Sequence, residues 1–110
     1  MTLIEYMEWT RTTAIYPGAC EGEMAELQYL TLGLASEAGE VAGVVKKLQR
    51  DGRTPAVVDN LPAELGDVLW YWVRLCDACG VDPEAVMRAN RIKLVSRQSR
   101  GALGGSGDER

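Results

Sequence analysis

The chain has 110 residues, enough for one domain, and its 16 acidic against 12 basic side chains give a net charge of −4. That balance argues against a nucleic-acid surface, no apolar run is long enough to span a bilayer, and the N-terminal residues lack the cationic, apolar pattern of a signal peptide. A cytoplasmic protein with no membrane or nucleic-acid partner is therefore expected.

Three Cys, an odd number, fit reduced thiols better than a disulfide framework. Cys76 and Cys79 form a CxxC, but it falls inside a helical stretch with no second pair and no His anywhere in the chain. They read as buried thiols acting as small apolar groups.

In chain order, Thr2 is the N-cap of a first helix predicted over about Leu3 to Ala14, with Leu3, Tyr6, Met7 and Ile15 inward and Tyr16-Pro17-Gly18 as its stop. Trp9 and Tyr16 are expected in the core, with a nucleobase stack as the alternative. The second helix is predicted from Glu23 to Arg50. Leu27, Leu30, Leu34, Val41, Val44, Val45 and Leu48 recur at three and four, and Gly52 follows as the C-terminal signal. Gly33 and Gly39 disfavour a helix interior by up to about 1 kcal/mol each relative to Ala. They make sense where another helix or a ligand approaches the backbone.

Asp51 to Asn60 reads as a loop with turn residues at both ends. The third helix is predicted to start near Asn60 and Leu61, with Pro62 in its first turn, and to end before Gly80. Asp82-Pro83-Glu84 opens a fourth helix running to about Ser99, with an N-cap, Pro at N1 and an acid in the first turn. The Gly-rich, polar segment 100–110 is expected to be disordered. The domain therefore spans 1–99, in an all-α, four-helix arrangement whose second and third helices form an antiparallel central pair.

That central pair carries the chemistry. Glu37 and Glu40 lie three apart on the second helix, and Glu64 and Asp67 three apart on the third. Each spacing puts two carboxylates on one helical face. Two such charges about 6 Å apart at an effective dielectric near 20 repel by roughly 3 kcal/mol, so four in one place call for a cation. All-oxygen ligands point to Mg²⁺, with Mn²⁺ as a substitute, because the absence of His removes the usual zinc and di-iron ligand sets. Between Leu65 and Cys79 the only charged residues are Asp67, Arg74 and Asp77, so Asp67 is expected on a mostly buried helix. Tyr71 shares the face of Glu64 and Asp67. Asn90, Lys93 and Arg97 align as a polar, basic stripe, either a solvated face or an anion contact. Lys46 and Lys47 either compensate the helix dipole or touch phosphate.

The runs LGLASEAGEVAGVVKKLQRDG, ELGDVLWYWVRLCDACGV and ANRIKLVSR, together covering most of Tyr29 to Arg97, resemble the single-domain MazG-like, all-α nucleoside triphosphate pyrophosphohydrolases. The resemblance implies Mg²⁺-dependent hydrolysis of a nucleotide to its monophosphate and pyrophosphate, in a homodimer or homotetramer. It makes Glu37, Glu40, Glu64 and Asp67 metal ligands and catalytic groups, and Asn90, Lys93 and Tyr71 substrate contacts; by their place on the helices, Lys46, Lys47 and Arg97 are further candidate substrate contacts. Many members carry two adjacent acids where this chain has Ser36 and Glu37. One carboxylate fewer stands at the first motif, and the general base is left open among the four.

Chemically, a bound Mg²⁺ would lower the pKa of a nearby water and a carboxylate would take its proton, so that the water attacks a phosphorus of the triphosphate and expels pyrophosphate or the nucleoside monophosphate. Two other readings stand beside this one: a hydrolase of the same superfamily acting on phosphoribosyl-ATP or dUTP, and a non-catalytic helical protein whose acids bind a structural cation or a partner.

Overall fold

The computed structural model describes residues 1–110 and contains helices only: α1 (Leu3–Thr10), α2 (Met24–Asp51), α3 (Pro55–Ala78) and α4 (Pro83–Ser99). Thr2 closes the start of α1 as a capping box. Its hydroxyl accepts from the Glu5 amide, and the Glu5 carboxylate accepts from the Thr2 amide. The α-helix stops at Thr10 rather than Ala14 and tightens into a 3₁₀ turn at Arg11–Thr13. The reason is local: the hydroxyls of Thr10, Thr12 and Thr13 each donate to the carbonyl three residues back.

Helix α2 ends at Gly52, whose φ of 79° requires a residue without a Cβ and whose amide closes on the Leu48 carbonyl. The expected loop from Asp51 to Asn60 shrinks to Gly52, Arg53 and Thr54, because α3 starts at Pro55. Thr54 is the N-cap, accepting from the Val57 amide, and Pro55 supplies a preset φ at N1. Pro62 consequently lies inside α3 instead of in its first turn. So short a connection forces α2 and α3 to run antiparallel, and they pack along their length.

Helix α1 rests on α3, and α4, capped by Asp82 onto the Glu84 amide, leans against α1. Residues 100–110 contain neither helix nor strand and turn back onto α4, where Asp108 pairs with Lys93 and Arg97.

The arrangement is open. The Cα radius of gyration is 16.7 Å, against about 13 Å for a compact domain of this length. Ten residues are buried, and Thr10, Glu26, Arg74 and Arg97 among them are polar. Tyr16 and Cys76 join the core as expected, whereas Trp9 (52% exposed), Cys79 and Ile15, which lies beyond the shortened helix, do not. Trp9 stacks on Tyr6 at 5.8 Å near the surface, and Cys79 sits at the exposed end of α3. Trp70 is held half-buried by donating its indole N–H to the Thr13 hydroxyl at 2.8 Å.

Candidate metal and substrate site

The inward face of α2 carries Glu26, Leu30, Gly33 and Glu37, at spacings of four, three and four. The facing side of α3 carries Glu64, Asp67, Tyr71 and Arg74, at three, four and three. Antiparallel packing matches these in reverse order, and three levels result.

At the first level, carboxylate oxygens of Glu37, Glu64 and Asp67 all lie within 4.8 Å of one another. Oxygens around one octahedral Mg²⁺ stand about 3 to 4 Å apart, given metal–oxygen bonds of about 2.1 Å. Small side-chain rotations would close the set, and three hard anionic donors suit a hard divalent cation. Burial pushes the Glu37 carboxyl up, and the charges of Asp67, Glu64 and Glu40 add to it. Glu40 contributes that field without joining the group. Beyond Glu37 the inward positions of α2 pass to Val41, Val44 and Leu48, and this leaves Glu40 exposed on the flank. Asp67, expected on a mostly buried helix, is exposed, at the rim of the seam between α2 and α3.

At the second level, Tyr71 lies flat against Gly33. Burial, the neighbouring Tyr29 phenol and the carboxylates of Glu37 and Asp67 push its hydroxyl up. Tyr6 of α1 closes another side; burial first, then the charge of Asp67, raises its phenol. The sequence marks Tyr6 as inward on α1 but does not place it beside the acids, since nothing local ties α1 to Asp67.

The third level was missed altogether. Glu26 and Arg74 are fully buried, with the carboxylate 3.8 Å from the guanidinium. Glu26 also accepts from the Tyr16 hydroxyl and Cys20 amide at 2.6 Å and from the Gly22 amide at 2.9 Å. Burial alone would raise its pKa, but these three donors together with Arg74 bring it below the ordinary carboxylate value. Tyr16 is pushed up to about 12 by burial and by Glu26. Arg74 further pairs with Asp77 at 2.6 Å, which Arg11 grips with two hydrogen bonds of 2.7 and 2.8 Å. The Arg11 contact, then that of Arg74, hold Asp77 below the usual carboxylate range against its burial. The signal available in the sequence was phase: Glu26 stands two turns before Gly33, and Arg74 is the one cation in the apolar stretch of α3.

The basic candidates are not gathered at the acids. Lys46 and Lys47 are exposed on α2, nine and ten residues beyond Glu37, which is about 14 Å along the axis. Asn90 borders a shallow hollow with Leu3, Leu69, Trp72, Val86 and Met87. Lys93 is 3.1 Å from the Asp108 carboxylate, as is Arg97, which is 4% exposed and also donates to the Asp108 carbonyl.

Residues 25–101 match the MazG nucleotide pyrophosphohydrolase domain. The chain is also similar to the Gene 37 protein of Mycobacterium phage L5, 48% identical over 102 residues that make up 89% of this chain and 90% of that protein. No solved structure matches it. With most of its length inside the domain match, and its acids converging on one seam of an all-α fold, the chain belongs to the MazG nucleotide pyrophosphohydrolase domain family.

Proposed function

We propose that the protein is a Mg²⁺-dependent nucleoside triphosphate pyrophosphohydrolase that converts an NTP or dNTP to the monophosphate and pyrophosphate in the cytoplasm. The observation that carries this reading is the meeting of Glu37, Glu64 and Asp67 within 4.8 Å across α2 and α3. These three would hold the ion, and Glu40, one turn further along α2, is the candidate for an outer contact. When bound, the ion neutralises phosphate charge and makes a water acidic enough to be deprotonated near neutral pH.

The chain's own groups divide the remaining work. A carboxylate oxygen of the cluster takes the proton of the attacking water, and Tyr71 donates its hydroxyl to the substrate from the α3 side. Lys46 and Lys47 stand where only the far end of an extended polyphosphate reaches them. Asn90, Lys93 and Arg97 supply anion contacts on α4. Asp108, 81% exposed, is a weak competitor for these cations and gives way to a phosphate of higher charge.

The test is pyrophosphate release from the eight common NTPs and dNTPs, with Mg²⁺, with Mn²⁺ and with chelator. Release from at least one of them, lost on chelation, is expected. Folded protein that is inactive on the whole panel with both ions would rule the reading out, and phosphoribosyl-ATP as a ninth substrate separates the nearest alternative.

The active form is proposed to be a homodimer or homotetramer. A single copy leaves Met24 and Leu32 of α2 exposed, together with Met87, Ile92 and Val95 of α4, too much apolar surface for a stable isolated domain of this size. The α4 face is rimmed by Arg88 and Arg91, and the α2 face follows Glu21 and Glu23, so the two are complementary in charge. Light scattering should give a multiple of 12.0 kDa; a monomer at micromolar concentration is the contrary result.

A further inference from the structure

At Gly33 the side chain of Tyr71 from α3 packs directly against the backbone of α2. A Cβ placed on it would stand 2.0 Å from Cε1 of Tyr71 and 2.5 Å from both Cδ1 and Cζ, whereas Gly39 and Gly43 of the same helix have nothing within 4 Å. The obstructing atoms belong to a rigid ring, not to the end of a flexible chain. The adjacent Trp70 lies edge-on to that ring at 4.9 Å and 79°. A side chain at position 33 must therefore either displace the Tyr71 ring or wedge the helices apart. Glu37 lies one turn further along α2 and Asp67 one turn earlier on α3, so both outcomes act directly on the carboxylate cluster.

We infer that Gly33 is a positioning residue. Its missing side chain seats the Tyr71 ring in the seam and sets the spacing at which carboxylates from two helices converge. The catalytic half of this inference rests on the proposed function; the packing half does not.

Alanine is the better helix former by up to about 1 kcal/mol, so the sign of the stability change is diagnostic. Gly33→Ala should lower the melting temperature of the parent, and of Tyr71→Phe, which keeps the ring. In a Tyr71→Ala background, where the ring is gone, the same substitution should raise it. These melts need no metal and no substrate.

Mn²⁺ binding by electron paramagnetic resonance and steady-state kinetics supply the functional readouts. Gly33→Ala should weaken Mn²⁺ binding at least about tenfold. The Gly33→Ala/Tyr71→Ala pair should recover the Mn²⁺ affinity of Tyr71→Ala alone while kcat stays at the Tyr71→Ala level. A Gly33→Ala protein that melts at or above the parent temperature, or an additive cycle in which the sign never reverses, overturns the inference. A parent that binds no Mn²⁺ and releases no pyrophosphate sinks the proposed function, and the melting cycle then decides the packing role by itself.

Discussion

Asp67→Asn is expected to cut turnover at least about a hundredfold, roughly 2.7 kcal/mol of transition-state stabilisation, while the metal-free variant melts at the parent temperature or higher. Asn keeps the shape of the side chain and removes one of three charges that stand within 4.8 Å of each other. Since Asp67 is exposed, water screens most of the repulsion. The gain without metal is therefore small, under about 1 kcal/mol. Added Mg²⁺ should stabilise the parent more than the variant, because a ligand that binds only the native state contributes RT ln(1 + [L]/Kd).

Glu37 offers a separate check. Its carboxyl is raised by burial and then by Asp67, so its titration followed by NMR should move down in the variant. The sign for stability follows: an acid whose folded pKa is raised weakens the native state at neutral pH, and this is relieved as the pH falls through that folded pKa. The variant should show a shallower relief. Retained turnover with an unchanged Mg²⁺ response would remove Asp67 from the site.

Arg74→Met is expected to lose about 3 to 5 kcal/mol of stability, the usual result of leaving a buried charge without its partner. At about 4 °C or more per kcal/mol for a domain near this size, the melting temperature should drop by more than about 12 °C. Glu26 would keep its three hydrogen bonds but lose the only cation near it, and Asp77 would be left to Arg11 alone. Replacing both members, as Glu26→Leu with Arg74→Met, should recover much of the loss. A drop of less than about 4 °C for Arg74→Met would show that the pair is not structural.

The pH dependence of this network runs opposite to that of Glu37. Glu26 and Asp77 have depressed folded pKa values, so their stabilisation is present above the ordinary carboxylate range and disappears as the pH falls through the folded values, below about pH 4. Metal-free protein should accordingly gain slightly on mild acidification and unfold on stronger acidification.

What was legible in the sequence was whatever a few neighbouring residues decide. The Thr2 N-cap, the Gly52 stop and the Asp82-Pro83-Glu84 start are each decided within a few residues and appear where expected. The start of α3 was ambiguous because two signals compete: Thr54-Pro55 caps the helix, while Asn60-Leu61-Pro62 imitates a later start. The pairing of Glu37 with Glu64 and Asp67 was readable from spacing on each helix. The exclusion of Glu40 was not, because it depends on where the contact stripe of α2 drifts after Glu37. Glu26 and Arg74 stand 48 residues apart, and although phase marks each as inward on its own helix, nothing local pairs one with the other. The site partners on α4 remain proposals for the same reason: the stripe of Asn90, Lys93 and Arg97 is visible from spacing, but what it faces is set by packing.

The ion pair of Glu26 with Arg74 also acts as a latch on alignment. It lies three helical turns from Glu37, about 16 Å along α2. If α3 slid by one turn in either direction, Glu26 would lose its buried counter-ion Arg74, and the ladder of matched residues would fall out of step. Registration of the two helices is thus decided far from the carboxylates and without reference to any cation. The acids are brought face to face by the rest of the fold, so their mutual repulsion is held in place by the latch. On the proposed function, an arriving ion would meet a preassembled receptor, and its departure would remove the charge balance of the cleft without undoing the helices around it.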